Sequence, residues 1–374
     1  MKIKKFLVVA AGICLAIMLV SLPFMAACAE EAPAPTPAPT PTPTPTPTPV
    51  EPEEKPLPPI EIKIHGIGVN RPPGGIWYTM PAELFEVATD GRAEVTIYES
   101  NTICERKESY ECIINGVADA TWLWVPLIPG VLPLSEVVHL PGLMPNQATA
   151  NVVMSELWEK YPQFAEQFDP NVVVLSTQVH MRADIHSSMP IRNMADLKGK
   201  VIAAQSTDGA RALEMLGAAP TVMSTGDMYT SGERGVVDGC LIAWGGYSTF
   251  SLYDVFQYHT LISISPGVSH WIMYRSTWDK LTEAEQTRLK AMTHEFSHSM
   301  NIGNVRETEM VWAEHVNAAQ GHEFINWSEA DMAKLRETFK PIWDEWVENV
   351  EAKGYPGSEI LEDAISLIAD YSRL

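Results

Sequence analysis

Two short segments of this chain echo one another, and the echo limits the folds available to it. Gly116-Val-Ala-Asp119 and Gly235-Val-Val-Asp238 each close a helical pattern and open a strand-like one. Around the first, Ile60–His65 alternates as a strand, Tyr78–Thr89 reads as a helix stopped by Asp90-Gly91, and Ala93–Tyr98 is a second strand. Glu105–Ile114 then forms a helix ended by Asn115-Gly116, and Ala118–Trp122 is the third strand. Around the second echo, Val172–Ser176 is a buried-type strand and Asp196–Gly199 a turn. Val201–Ala204 follows as a strand, Asp208–Leu216 as a helix and Thr221–Met223 as a strand. Ser224 caps a helix over 226–233, and Val236–Ala243 is the last strand. Strands and helices alternating through short Gly-containing joints predict an α/β fold. Each round ends in tryptophan, Trp122 and Trp124 in one and Trp244 in the other. Open α/β sheets bind ligands beyond the carboxyl ends of their strands. Two such ends facing each other would make an aromatic cleft; burial of the same rings in the core is the plain alternative.

The foldable part is bounded by what precedes it. Lys2, Lys4 and Lys5 introduce an apolar stretch, Phe6–Ala27, that ends in Phe24-Met25-Ala26-Ala27-Cys28. A charged start, an apolar middle and small residues before a cut are the pattern of an export signal. The last five residues resemble a bacterial lipobox, which implies a signal peptide over 1–27 and a lipid on Cys28. An uncleaved anchor is the alternative, since about 20 apolar residues span a bilayer. Either way the remainder lies outside the cytoplasm, tied to a membrane. Residues 28–59 form a Pro/Thr-rich tether with Pro-Thr repeats over 35–49. Such a segment has little apolar surface to bury and favours extended polyproline II, reaching up to roughly 90 Å. The formal net charge of -21 makes nucleic acid and anionic lipid surfaces poor partners. No second long apolar run follows, so the chain does not form a channel by itself. Cys104, Cys112 and Cys240 remain after the signal and the anchor. Their odd number argues against a disulfide scaffold. Cys104 and Cys112 are near enough to pair across a helix start, but buried free thiols are the expected state of all three.

The last third is helical. Thr282-Glu-Ala-Glu285 reads as a capping box, and helical spacing runs on to about Gln320. A helix of nearly forty residues would be about 55 Å long, enough to act as a spine across two domains. Ser328-Glu-Ala-Asp331 starts a further helix to Lys353, stopped by Gly354. These segments, taken with Tyr98–Glu105, Gly116–Asp119, Pro190–Gly199, Leu216–Ser224 through Tyr229 to Gly235–Gly239, and Trp278–Leu281, resemble the solute-binding proteins of TRAP transporters, DctP type. The resemblance covers nearly all of 60–374. It implies a periplasmic-binding-protein-like clamshell, with lobe I at 60–179 plus 268–307 and lobe II, with the terminal helix, at 180–267 plus 308–374. It implies capture of a small organic solute for a permease driven by an ion gradient, with no cofactor and no catalysis.

Two departures from the family pattern bear on the ligand. Ala203 stands where relatives that bind carboxylates carry an arginine, and Leu241 and Ile242 replace a usual Glu-Asn. A second family arginine is matched by Arg182, whose planar fork suits a carboxylate. The expected lining is therefore Arg182 with Trp122, Trp124, Trp244, Tyr247, Trp271 and Trp77, beside Ala203 and Ile242. Aromatic walls with few polar anchors favour an organic acid with an apolar or aromatic part.

One motif points elsewhere. His294-Glu-Phe-Ser-His298 fits H-E-x-x-H, in which two histidines on one helix face bind zinc and Glu295 activates water. Asn301 breaks the continuation that would bring a third histidine, leaving Glu314, His315 and His322 as candidate ligands. A zinc metallopeptidase is thus the alternative function. A lipid-anchored sensor or adhesin using the same cleft is a third.

Overall fold

The computed structural model describes residues 57–66, 76–99, 102–303 and 320–371. Within these ranges the side chains of 76–80, 181–182, 265–266 and 300–303 are not described. The chain divides into two units, Met1–Lys55 and Pro56–Leu374, and all described residues belong to the second. The signal segment, Cys28, most of the tether, Glu314 and His315 lie outside the described residues.

Nine strands among the described residues form one sheet. The first round supplies β1 (Ile60–His65), β2 (Ala93–Tyr98) and β3 (Ala120–Trp124). The second supplies β5 (Val201–Ala204), β6 (Ala219–Val222) and β7 (Gly239–Ala243). Between and after them run two long strands, β4 (Val172–Ser187) and β8 (Tyr258–Tyr274); β9 (Glu323–Ile325) is short. The order is β2-β1-β3-β8-β4-β7-β5-β6, with β9 on β8. Each round is parallel and places its first strand in the middle, β1 between β2 and β3, β5 between β6 and β7. The long strands are antiparallel to each other and join the two rounds.

The sequence echo has an atomic counterpart. Gly116 and Gly235 both adopt φ +67, a left-handed turn that a residue with Cβ enters only with strain. Three residues on, Asp119 accepts the Lys63 backbone N–H at 2.8 Å, and Asp238 accepts that of Val201 at 2.8 Å. Each aspartate also donates its own backbone N–H to the same strand residue's carbonyl, at 2.8 and 2.7 Å. The Gly-Val-x-Asp segment thus locks a new strand onto its neighbour, once in each half.

Helices cover the sheet: α1 (Ile76–Ala88), α2 (Ser109–Ile114), α3 (Gln147–Lys160), α4 (Gln163–Glu166), α5 (Thr207–Met215), α6 (Thr225–Glu233), α7 (Trp244–Thr249) and α8 (Arg275–Trp278). Three long ones end the chain: α9 (Glu283–Gly303), α10 (Glu329–Glu351) and α11 (Gly357–Tyr371). Thr282 and Glu285 form the expected reciprocal box at the start of α9, at 2.7 and 3.3 Å. The stretch 304–319, where the forty-residue helix was expected to continue, lies outside the described residues. Ser328 caps α10 by accepting the Asp331 N–H at 3.1 Å. Leu335, Phe339, Trp343, Trp346 and Val350 make its buried stripe. Their indoles donate to Pro141 (from Trp343, 3.0 Å) and Pro133 (from Trp346, 2.8 Å), fixing α10 against the segment that follows β3.

Three expectations need correction. Cys104 and Cys112 are joined in a disulfide, and among the described residues only Cys240 is a free, buried thiol. A 3-10 turn at Arg106–Glu108 precedes α2 and brings the two Cα atoms to 6.3 Å, within bridging range. Ser224 precedes α6, but its hydroxyl donates to the Asp227 carboxylate at 2.5 Å instead of accepting a backbone N–H. The strand expected to end at Ser176 continues to Ser187, because β8 pairs with it along its whole length.

Candidate functional site

The carboxyl ends of β3, β5, β6 and β7 open onto one cleft of about 1130 Å³. From the first half come Trp122, Trp124 and the segment to Pro141; from the second come Ala243, Gln205 and Met223. The C-terminal part of α10, including Trp346 and Asn349, closes one side. The crossing strands run between. Both are irregular there: pairing of β4 with β8 shifts between Val179 and Arg182, and Ser263 of β8 has φ 47. Asp184 holds this kink. One oxygen of its buried carboxylate accepts the Ile262 and Ser263 N–H groups, both at 3.0 Å, and the other accepts the Trp244 indole at 3.1 Å.

The first-half wall is aromatic. Trp122 and Trp124 alternate to the same face of β3 and stack at 5.4 Å and 24°. His180, from β4, meets both rings edge-on at 5.2 and 5.1 Å. Its Nε2 is 2.6 Å from the Ser269 hydroxyl. Burial, with the neighbouring His139 second, pushes His180 down to about 3. Burial pushes His139 down to about 4, and its Nε2 accepts the Val268 N–H at 2.7 Å. Both imidazoles are therefore neutral at pH 7. The wall offers ring faces and dipoles, without formal charge. Elsewhere the cleft is lined by charged side chains, several of which are held by the protein itself. Arg211 of α5 pairs with Glu345 of α10 at 2.5 Å, and Lys353 donates to the Gly130 carbonyl at 2.6 Å.

The structure sorts the residues singled out from sequence. Trp122 and Trp124 line the cleft. Trp271 does not: it is 1% exposed and lies in register with Trp122, forming the core beneath. Trp244 and Tyr247 are core residues too. Trp244 serves Asp184, and Tyr247 stacks on His186 at 4.3 Å while donating to the Phe256 carbonyl at 2.9 Å. Ala203 and Ile242 are fully buried in the same cluster. The faces differ by one position, since side chains alternate along a strand; Leu241 and Ala243, on either side of Ile242, are the ones that reach the cleft. Arg182 lies in β4 opposite Pro266, at the level where the two halves meet. Its side chain, and that of Trp77 in α1, lie outside what is described. His139, His180 and Gly267 line the cleft without having been anticipated. The signal for His180 was available, two residues before Arg182 on one strand, but only once the strand is known to reach so far.

The zinc motif lies on the solvated side of α9, with His294, Glu295 and His298 all exposed. Among the described residues no three metal-binding side chains converge. His322, a candidate third ligand, instead closes a chain of imidazoles: it is 3.0 Å from His259, which is 2.8 Å from His186.

Two α/β halves joined by a pair of crossing strands, with a cleft at their facing strand ends, define a receptor for a small solute. The chain belongs to the family of bacterial extracellular solute-binding proteins, family 7 (DctP), whose pattern matches residues 74–349. A solute-binding protein of Chromohalobacter salexigens is 22% identical over 269 residues, which cover 70% of this chain and 76% of the relative. The crystal structure of a TRAP periplasmic solute-binding protein from Desulfovibrio salexigens, in an open complex, superposes with a TM-score of 0.72 at 23% identity, covering 83% of this chain and 96% of that one. A TRAP solute-binding protein of a marine metagenome, specific for aromatic acids and crystallised with metahydroxyphenylacetate, has a TM-score of 0.68 at 18% identity, with 83% and 99% covered. The fold is thus the two-lobed one of TRAP periplasmic binding proteins, and the chain is a solute-binding component of such a transporter. Proteins of this class bind small organic solutes and work with membrane permease subunits; they are not enzymes. No helix among the described residues is long and apolar enough to cross a membrane.

Proposed function

We propose that this receptor captures an organic acid with an apolar or aromatic part and delivers it to an ion-gradient-driven permease. The observation that carries the reading is the neutral aromatic wall of Trp122, Trp124 and His180 on one side of the cleft. Ring faces and dispersion favour a flat ligand, and little fixed charge on that wall is left to hold a polar one. Arg182 is the proposed carboxylate anchor, through paired charge-assisted hydrogen bonds, a reading supported by its backbone position in β4 opposite Pro266. That an aromatic acid occupies the site of a relative with the same fold adds to this reading.

The lobes divide at 60–179 plus 268–307 and 180–267 plus 308–374. The pairing supports this: β3 bonds to 269–273 of β8, whereas β7 bonds to 183–187 of β4. Ligand contact with both sides then favours a closed state. Calorimetry with benzoate, 3-hydroxyphenylacetate, succinate and glucose tests the ligand class. The ring acids are expected to bind tightest, and Arg182→Ala to weaken them at least ~30-fold, the cost of removing one member of a buried charge pair. Tight succinate binding that survives Arg182→Ala would overturn the assignment.

The same reading places a lipid on Cys28, with the receptor held near its permease at high effective concentration. Palmitate labelling of the wild type, lost in Cys28→Ser together with release of the protein from membranes, is the expected result. Retention of Cys28→Ser in the membrane would favour an uncleaved anchor.

A further inference from the structure

Gly267 lies in β8 beside the aromatic wall, and its backbone gives no reason for a glycine. It does not occupy the left-handed region in which glycine is favoured. Space is the reason. A Cβ built there would fall 1.9 Å from Cη2 of Trp124 and 2.4 Å from its Cζ2. The indole therefore lies flush on the bare backbone of β8, in a recess that one methyl would fill.

The other directions open to that ring are limited. Trp122 is stacked on it, and His180 stands edge-on to both rings, tied to Ser269. Displaced from the recess, Trp124 has to retreat by roughly 1.5 Å to reach ordinary contact distance. The space not already filled by these partners is the cleft, which both Trp124 and Gly267 line. We infer that Gly267 is a specificity-determining positioning residue. By parking Trp124 against β8 it keeps open a slot for a planar six-membered ring, and it thereby sets which organic acids the receptor admits. This inference rests on the organic-acid reading of the cleft.

Gly267→Ala tests it in two ways. Without ligand, near-ultraviolet circular dichroism reports the stacked Trp122–Trp124 pair, and the spectrum changes when the rings shift. With ligand, calorimetry compares benzoate and 3-hydroxyphenylacetate with hexanoate, an acid of equal charge and no ring. One misplaced methyl in an apolar pocket changes affinity by about 10–200-fold. The ring acids are expected to weaken by that amount, with hexanoate within about threefold, a selectivity change that general destabilisation does not produce. In a Trp124→Leu background the alanine is expected to have no further effect, because the ring it displaces is gone.

An unchanged spectrum overturns the inference, as does an equal loss for ring and chain acids that persists in the Trp124→Leu background. Should Gly267→Ala fail to fold, the Trp124→Leu, Gly267→Ala double variant restores folding if the clash is with the indole, and failure of the double overturns the inference. If the wild type binds none of the three acids, the proposed ligand class is wrong, and the dichroism decides the position of Trp124 independently.

Discussion

Single residues in this chain carry more than their type suggests. Glu285 caps α9 through Thr282 and also receives the Arg92 guanidinium on both oxygens, the Nε bond at 2.9 Å. Arg92 reaches the Pro58 carbonyl as well, at 3.1 Å, so one pair ties the start of β1, the start of β2 and the helix together. Arg92 holds the Glu285 carboxyl down to about 2, against burial, with Thr282 adding to it. The unfolded state then binds the proton first as acid is added. The contribution is complete above about pH 4.5 and is lost as pH falls toward 2. Glu285→Gln is expected to cost about 1–3 kcal/mol at pH 7, measured by urea unfolding, and much less near pH 2.5. Equal losses at both pH values would show that packing, not charge, is what the glutamate supplies.

Among the elements, those defined by a local pattern were legible and the two crossing strands were not. Tyr78–Thr89, Ala93–Tyr98, Val201–Ala204 and Ser328–Lys353 were each read to within a few residues of α1, β2, β5 and α10. Their periodicity is complete inside one segment, and caps such as Thr282 and Ser328 mark the starts. β8 and the outer half of β4 escaped notice because local pattern does not define them. Their residues pair across 71 (Ser187 with Tyr258) to 102 (Val172 with Tyr274) positions, and the β4 register shifts three times along the way. Polar residues such as His180, Asp184 and His186 interrupt any apolar alternation, yet the structure buries all three. They belong in a strand because tertiary partners satisfy them: Ser269 for His180, two backbone N–H groups for Asp184, the Ile242 carbonyl for His186. The disulfide was missed for a related reason. Whether Cys104 and Cys112 meet depends on the tight turn between them, which composition does not reveal.

At the scale of the whole molecule, the joint between the halves is built from neutral histidine. Burial is the first cause that pushes His139 and His186 down to about 4, His180 and His270 to about 3, and His259 to about 2. Each lies on or beside the crossing strands. An unfolded histidine takes its proton near pH 6.5, whereas these resist until far lower. Stability is therefore full above about pH 6.5 and falls as pH drops through the range below it, by at most about 1.4 kcal/mol per histidine per pH unit. The urea midpoint is expected to be clearly lower at pH 5.0 than at pH 7.5, with the slope unchanged. A midpoint independent of pH over that interval would mean that these imidazoles are solvated or already charged.

The amino-acid order alone determined the doubled α/β plan and the family, because each is written in local periods, turn glycines and segment order. What it left open is which aromatic residues the rest of the molecule covers. Trp122 and Trp124 line the cleft while Trp244 and Trp271 are buried in the core. Trp122 and Trp271 are direct cross-strand partners on one face of the sheet, yet Trp271 is packed in a cluster with Ile62, Phe85 and Trp278, while Trp244 opens α7 and donates to the buried Asp184; cover from segments distant in the chain, which no local pattern records, decides lining or core.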